Sequence, residues 1–273
     1  GNTVIYVAHD TKSKFTNPLI NPTEDGGDTE QNPYKTSVKN GWKNLMEGKA
    51  KDGGTIVIVG KGYIGANFAI PKTTAPIVFT SNYNGVDYAT YTDENNTIYN
   101  DEDKAAGTEG GGQFGSILLG TKCTLTIQGD VILDNVYVFN RGANVGTFSV
   151  EGKLVVKSNV KFHGKSTVIH NLNVAEGGYA YLHTLGFDAY TGTGTIVVGD
   201  EITNTVTEAD FAGFEGKIVD KNGNALFANE TTETTAGETT ETTAGETTET
   251  TAGETTETTA GETTETTAGE TTE

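Results

Sequence analysis

The sequence predicts an all-β fold: a right-handed parallel β-helix (a solenoid), with an N-terminal capping helix and a disordered C-terminal tail. Three observations predict it. Residues 53–81, GGTIVIVGKGYIGANFAIPKTTAPIVFTS, hold short β-branched and apolar runs separated by Gly, Pro and Thr turns, which is what one coil of a parallel β-helix needs. Gly-marked strands then recur with a spacing in the low twenties. The last 44 residues are ETTETTAG five times over, followed by ETTE, and such a tract cannot bury a core.

Taken in order, Asn2-Thr3-Val4-Ile5-Tyr6-Val7 reads as a strand. Residues 10–35, rich in Pro, Asn, Asp and Gly, read as an irregular loop. Ser37 is the expected cap of a helix over residues 38–48, because Val38, Trp42, Leu45 and Met46 recur at i, i+4, i+7 and i+8. A solenoid end is apolar and carries unpaired strand edges, so an amphipathic helix before the first coil reads as its plug. Trp42 is expected to anchor it. The first coil is assigned the strands Thr55–Val59, Phe68–Ile70 and Ile77–Phe79.

Asn84-Gly85 marks a tight turn. Residues 92–113, acidic and Gly-rich, read as an insertion loop, and solenoids often carry binding surfaces on such loops. The strands return at Gly115. Leu125–Gly129, Phe148–Gly152, Leu172–Gly177 and Thr195–Gly199 are aligned as equivalent, with marker glycines 23, 25 and 22 residues apart. Alternation directs Leu125, Ile127, Phe148, Val150, Leu172 and Val174 inward. Tyr137-Val138-Phe139 is aligned with Val160-Lys161-Phe162. Thr207–Phe214 reads as a short helix or turn with Phe211 and Phe214 inward. Asn222-Gly223 reads as a hairpin turn closing the stack. The domain reading is therefore residues 1–52 as strand, loop and capping helix, 53–229 as the β-helix, and 230–273 as a flexible spacer.

The chain carries 18 Lys and Arg against 37 Asp and Glu, a net charge of −19. The tail holds 12 of those acids and no base, which leaves −7 for residues 1–229. Phosphate binding needs clustered cations, so a nucleic-acid partner is excluded, and an anionic membrane surface with it. No run approaches the roughly 18 apolar residues of a membrane-spanning helix. Cys123 is the single cysteine, so no intrachain disulfide forms. The chain starts at Gly1 rather than Met, and an amino-terminal leader is expected to have been removed before it.

The segments DGGTIVIVG and PKTTAPIVFTSNYNGVDY, followed by the Gly-marked strands, resemble secreted clostridial-type surface proteins built on a pectate-lyase-like right-handed β-helix. The resemblance covers about residues 36–200. It implies a secreted or cell-surface location, a leader before the helix, and a Thr/Glu-rich spacer leading toward a wall anchor. No LPxTG-type motif follows the spacer here.

The scaffold also raises an enzymatic alternative, a polysaccharide lyase or glycoside hydrolase. Such enzymes need a carboxylate cluster for calcium with a nearby base, or paired aspartates. The chain has no Asp-Asp, Asn-Thr-Asp, Gly-His-Gly or Arg-Ile-Lys. Its catalytic candidates are Arg141, the sole arginine, with Lys161 and His163, which share an outward face if the rungs stack in register. The candidate calcium ligands are Asp93, Glu94, Asp101, Glu102 and Asp103 in the insertion; calcium is the one cofactor these loops allow. The ligand-binding candidates are Tyr83, Tyr88, Tyr91 and Tyr99, because aromatic faces beside Asn and Asp suit sugar rings. The four histidines show no i+2 or i+4 pairing and hence no zinc motif. The leading expectation is a non-catalytic extracellular β-helix that binds a glycan or protein on a host or cell-wall surface, or acts as a structural surface element.

Overall fold

The computed structural model describes residues 3–9, 20–88, 91–92, 98–99, 115–120, 122–140, 145–164 and 169–227. One compact unit spans Gly1–Leu226. A second, Phe227–Glu273, holds the repeat tract, of which only Phe227 is described. The fold is mostly β, with long parallel sheets, none of which closes on itself.

The chain opens with β1 (Val4–Ala8), β2 (Tyr34–Lys35) and helix α1 (Gly41–Glu47). A first round of strands follows: β3 (Gly54–Ile58), β4 (Lys61–Ile64) and β5 (Phe68–Ile70). Next come β6 (Ile77–Thr80) and the short antiparallel pairs β7 (Asn82–Tyr83) with β8 (Val86–Asp87) and β9 (Tyr91–Thr92) with β10 (Ile98–Tyr99). The round resumes with β11 (Ser116–Leu119) and β12 (Thr124–Ile127). Then follow β13 (Asp130–Leu133), β14 (Tyr137–Asn140), β15 (Gly146–Val150), β16 (Lys153–Val156), β17 (Lys161–Gly164) and β18 (His170–Val174). The last strands are β19 (Tyr179–Leu182), β20 (Ala189–Gly192), β21 (Thr195–Val198) and β22 (Lys217–Asp220).

These strands visit three parallel sheets in rotation. The first sheet runs β2-β1-β3-β6-β13-β16-β19-β21-β22, the second β17-β14-β11-β4 and the third β20-β18-β15-β12-β5. Each strand therefore hydrogen-bonds to the strands one round earlier and one round later. The first round differs from the sequence reading. Ile77–Thr80 pairs with Gly54–Ile58 in the same sheet and so opens the next round. The strand missed in between is β4, whose Lys61-Gly62-Tyr63 lacks a β-branched run.

Alternation sorts the side chains. On the first sheet Ile5, Ile56, Phe79, Leu133, Val156, Leu182 and Val198 fall into one register column and are fully buried. On the third, Leu125, Phe148 and Leu172 form one buried column and Ile127, Val150 and Val174 another, as expected. The sheets share this interior. Phe187 packs on Phe148 of the third sheet at 5.7 Å and on Phe162 of the second at 4.5 Å. Trp42 of α1 lies 6.1 Å from both Phe68 of the third sheet and Phe79 of the first.

Glycines form a column where the third sheet turns into the first. Asp130, Lys153, Tyr179, Thr195 and Lys217 are in register, at steps of 23, 26, 16 and 22 residues. The residue before each is a glycine: Gly129, Gly152, Gly178, Gly194 and Gly216. A Cβ on Gly152 would lie 2.4 Å from the Gly129 carbonyl oxygen, one on Gly178 2.2 Å from that of Val150, and one on Gly216 2.1 Å from that of Gly194. The following amide donates to the glycine carbonyl one round back: Lys153 N to Gly129 O at 3.0 Å, Tyr179 N to Gly152 O at 2.9 Å and Lys217 N to Gly194 O at 2.9 Å. Glycine stands there because the previous round's backbone occupies the side-chain space.

Two sequence alignments shift as a result. The third and fourth markers are Gly178 and Gly194, not Gly177 and Gly199. Thr195–Val198 belongs to the first sheet, because the round between β19 and β21 has no second-sheet strand and shortens to 16 residues. Tyr137 faces Lys161 rather than Val160. Three residues lie between Leu133 and Tyr137 and four between its partner Val156 and Lys161, so one extra turn residue moves the register.

The ends also differ in detail. α1 begins at Gly41 behind Asn40, which has φ 58° and makes no capping bond, so Ser37 is not its cap. A Cβ on Gly41 would lie 2.4 Å from the Thr36 carbonyl oxygen; the turn over residues 36–40 folds back onto the helix start. Trp42, Leu45 and Met46 form the buried face. At the other end a 3-10 turn over Glu208–Phe211 buries Phe211, and Phe214 is half-buried. The expected terminal hairpin is reduced to one antiparallel bridge, Val219 to Ala225, around Gly223 at φ 87°. Asn84 and Gly85, at φ 52° and 78°, make the expected tight turn between β7 and β8.

Candidate binding cleft

A cleft of about 560 Å³ lies between α1 and the corner joining β4 to β5. Strand β1 delivers His9 to it. The turn before α1 supplies Thr36, Ser37 and Asn40, and the corner supplies Gly65, Ala66 and Asn67. The apolar floor is Trp42, Met46 and Ile64, all buried. Trp42 is held by its own polar edge: Nε1 donates to the Tyr63 carbonyl oxygen at 2.9 Å. Tyr63 stands half-buried on the wall, and His9 meets it edge-on at 5.2 Å. Asn67 is exposed at the corner, where its Oδ1 accepts the Thr124 amide at 2.9 Å. Lys43 and Glu47 form an exposed ion pair on the rim.

This combination has a plain chemical capacity. An aromatic and aliphatic surface takes the apolar face of a ring, while amide, hydroxyl and imidazole groups on the rim satisfy its polar substituents. No group of three His, Cys, Asp or Glu side chains able to hold a metal converges among the described residues. Among them, too, no helix is long and apolar enough to cross a membrane.

The residues singled out from sequence fall elsewhere. Lys161 is exposed on β17, the edge strand of the second sheet, with Nζ 5.6 Å over the Tyr137 ring. Phe162 packs inward on Phe187, so backbone alternation sets Lys161 on the opposite, outer face of β17. The His163 side chain and Arg141 lie outside the described residues. The same holds for Asp93, Glu94, Asp101, Glu102 and Asp103, and for the side chains of Tyr91 and Tyr99, although these two residues face one another across β9 and β10.

Tyr83 is half-buried, edge-on to Tyr6 at 6.3 Å. Tyr88 is buried in a cluster with Ala8, Ile20, Val57 and Val59, and its hydroxyl donates to Glu30. Burial, with the Glu30 carboxylate next, holds that phenol well above its usual range. Two histidines are tied to carboxylates. His170, buried, has its backbone amide on Asp188 Oδ2 at 2.8 Å. His183 Nδ1 lies 2.9 Å from Glu201 Oε1, and this hydrogen bond lowers the Glu201 carboxyl below its ordinary range.

Sequence reasoning missed His9, Tyr63 and Asn67 as a group. They sit in three separate segments, and none belongs to a motif. The one available signal was the Gly65-Ala66-Asn67 break between two apolar runs, which marks a corner without saying what faces it. Compared with family models, with curated proteins and with solved structures, the chain matches none.

Proposed function

We propose that the chain is a non-catalytic extracellular glycan-binding module: a right-handed parallel β-helix whose cleft beside α1 takes a sugar residue, with the repeat tract as its spacer. The observation that carries the binding role is one cavity with Tyr63 on its wall, Trp42 in its floor, and Asn67, Asn40, Ser37 and His9 around it. The rotation of strands through three parallel sheets, the shared interior and the glycine column support the helical winding. Composition supports the spacer: the tract has Ala as its only apolar residue and a Glu every third or fifth position, a pattern with no core to bury. Together with the family resemblance, it supports display at a cell surface.

The test is a glycan array followed by calorimetric titration of any hit. Tyr63→Ala and Asn67→Ala are expected to weaken binding about tenfold or more, the range for losing one stacking or hydrogen-bonding anchor. Circular dichroism checks that both variants keep the fold. Absence of any glycan ligand, or binding indifferent to both substitutions, overturns the reading.

A further inference from the structure

The outer face of the first sheet carries an apolar stripe. Ile132, Val155, Tyr181, Val197 and Val219 stand in one register column across β13, β16, β19, β21 and β22. Their neighbours in sequence, Leu133, Leu154, Val156 and Ala180, point into the core. Val197 is buried in its row; the other four are half-buried. Upstream the chain covers this face itself, with Ile20, Tyr83, Val86 and Tyr88 packed over Val57 of β3 and Val59 just beyond it. From β13 onward Ile132, Val155, Tyr181 and Val219 stay half-buried, and the turn after β21 reaches only the flank, with Glu201 on His183 and Asp200 on Lys221.

The stripe is flanked by two columns whose charges are ordered. On one side run Asp130, Lys153, Tyr179, Thr195 and Lys217. Tyr179 is 37% exposed, among the most exposed large apolar residues described. On the other side Asp134, Lys157 and His183 follow one another, with the Lys157 backbone N–H donating a hydrogen bond to Leu133 O and that of His183 to Val156 O. Both columns thus start with an aspartate on β13, and the first ends with a free-standing lysine on β22.

That order makes the face complementary to itself in one orientation. A twofold axis parallel to the strands keeps strand direction and reverses strand order. It sets Asp130 against Lys217 of a second copy, Ile132 against Val219, Val155 against Val197, and Tyr179 and Tyr181 against themselves. A twofold axis across the strands would instead set Asp130 against Asp134 and Lys153 against Lys157, like against like. We propose that a second copy of this chain docks on the face, with the twofold axis along the strands and over β19. Five strands about 4.8 Å apart and three side-chain columns give a patch of roughly 24 by 20 Å. The two copies together would bury about 1,000 Å², the lower end for a specific interface, so the dimer is one that forms at micromolar concentrations and above.

The experiment uses sedimentation velocity and equilibrium on the full chain over a concentration series up to about 200 µM. Wild type is expected to pass from monomer to dimer across it. Asp130→Lys and Lys217→Glu, both at exposed positions, each place two like-charged pairs in the interface and are expected to weaken self-association by about tenfold or more. An equimolar mixture of the two variants restores both opposite-charge pairs in a heterodimer and is expected to recover dimerisation. Circular dichroism on each variant excludes misfolding as the cause. A chain that stays monomeric throughout, single variants that dimerise like wild type, or a mixture no better than the single variants would each overturn the proposal.

Discussion

Gly177 and Gly178 are adjacent and identical in sequence, yet alanine at the two positions should have very different consequences. At Gly178 the added Cβ meets the Val150 carbonyl oxygen at 2.2 Å and the Ala175 oxygen at 3.0 Å. Both are backbone atoms, so neither contact is relieved by a side-chain rotation. Reaching ordinary contact requires a retreat of roughly 1 Å. That retreat opens the ladder where Ala175 N donates to Val150 O at 2.9 Å and Tyr179 N donates to Gly152 O at 2.9 Å. Two hydrogen bonds at about 1 kcal/mol each, with some loss of packing under Ala180 and Leu182, bring the cost to about 2–4 kcal/mol. At Gly177 nothing lies within 4 Å, but φ is +83°. Alanine there suffers only left-handed strain, about 1–2 kcal/mol. Urea unfolding of the two single variants, followed by far-UV circular dichroism, measures the difference. A Gly177→Ala variant as destabilised as Gly178→Ala, or more so, would refute the assignment of Gly178 to the crowded column.

Phe148 is 1% exposed and packs on Phe187, so Phe148→Ala should cost about 3–5 kcal/mol and lower the melting temperature by roughly 10 °C; a shift of only a degree or two would mean that the third sheet does not pack there. Glu201 has its carboxyl lowered in the folded state by the His183 hydrogen bond. Its contribution is therefore fully present above the ordinary carboxylate range and is lost as pH falls through the lowered value. The melting-temperature gap between wild type and Glu201→Gln should hold steady above that range and close in acid, and a gap that widened in acid would contradict the hydrogen bond.

Much of the strand content was legible because it depends on local pattern. Leu125–Ile127, Phe148–Val150 and Leu172–Val174 alternate over short stretches and appear as strands with the expected faces inward, and the apolar run Thr55–Val59 appears as strand Gly54–Ile58, buried throughout. The Asn84-Gly85 turn was readable for the same reason, since few dipeptides tolerate two left-handed residues in succession. Strand Lys61–Ile64 was not readable, because its pairing with Ser116–Leu119 spans an insertion and comes from a partner more than fifty residues away. The one-residue register shift at Lys161 escaped for a similar reason. Side-chain alternation in YVF and VKF fits either alignment, and only the length of the preceding turn separates them. The cleft was invisible because His9, Tyr63 and Asn67 converge only after β1 joins the first sheet and α1 packs beside the corner.

Sequence by itself determined that this chain makes short β-branched strands punctuated by glycine, that its formal net charge is −19, and that Ala is the only apolar residue of its last 44 positions. These are properties of individual residues and of their nearest neighbours. Which glycine is crowded, which strand sits beside which, and which side chains share the outer stripe were decided only when backbone from one round lay against the next. Those contacts join residues 16 to 57 positions apart, and their register follows from turn lengths summed over whole rounds rather than from any local preference.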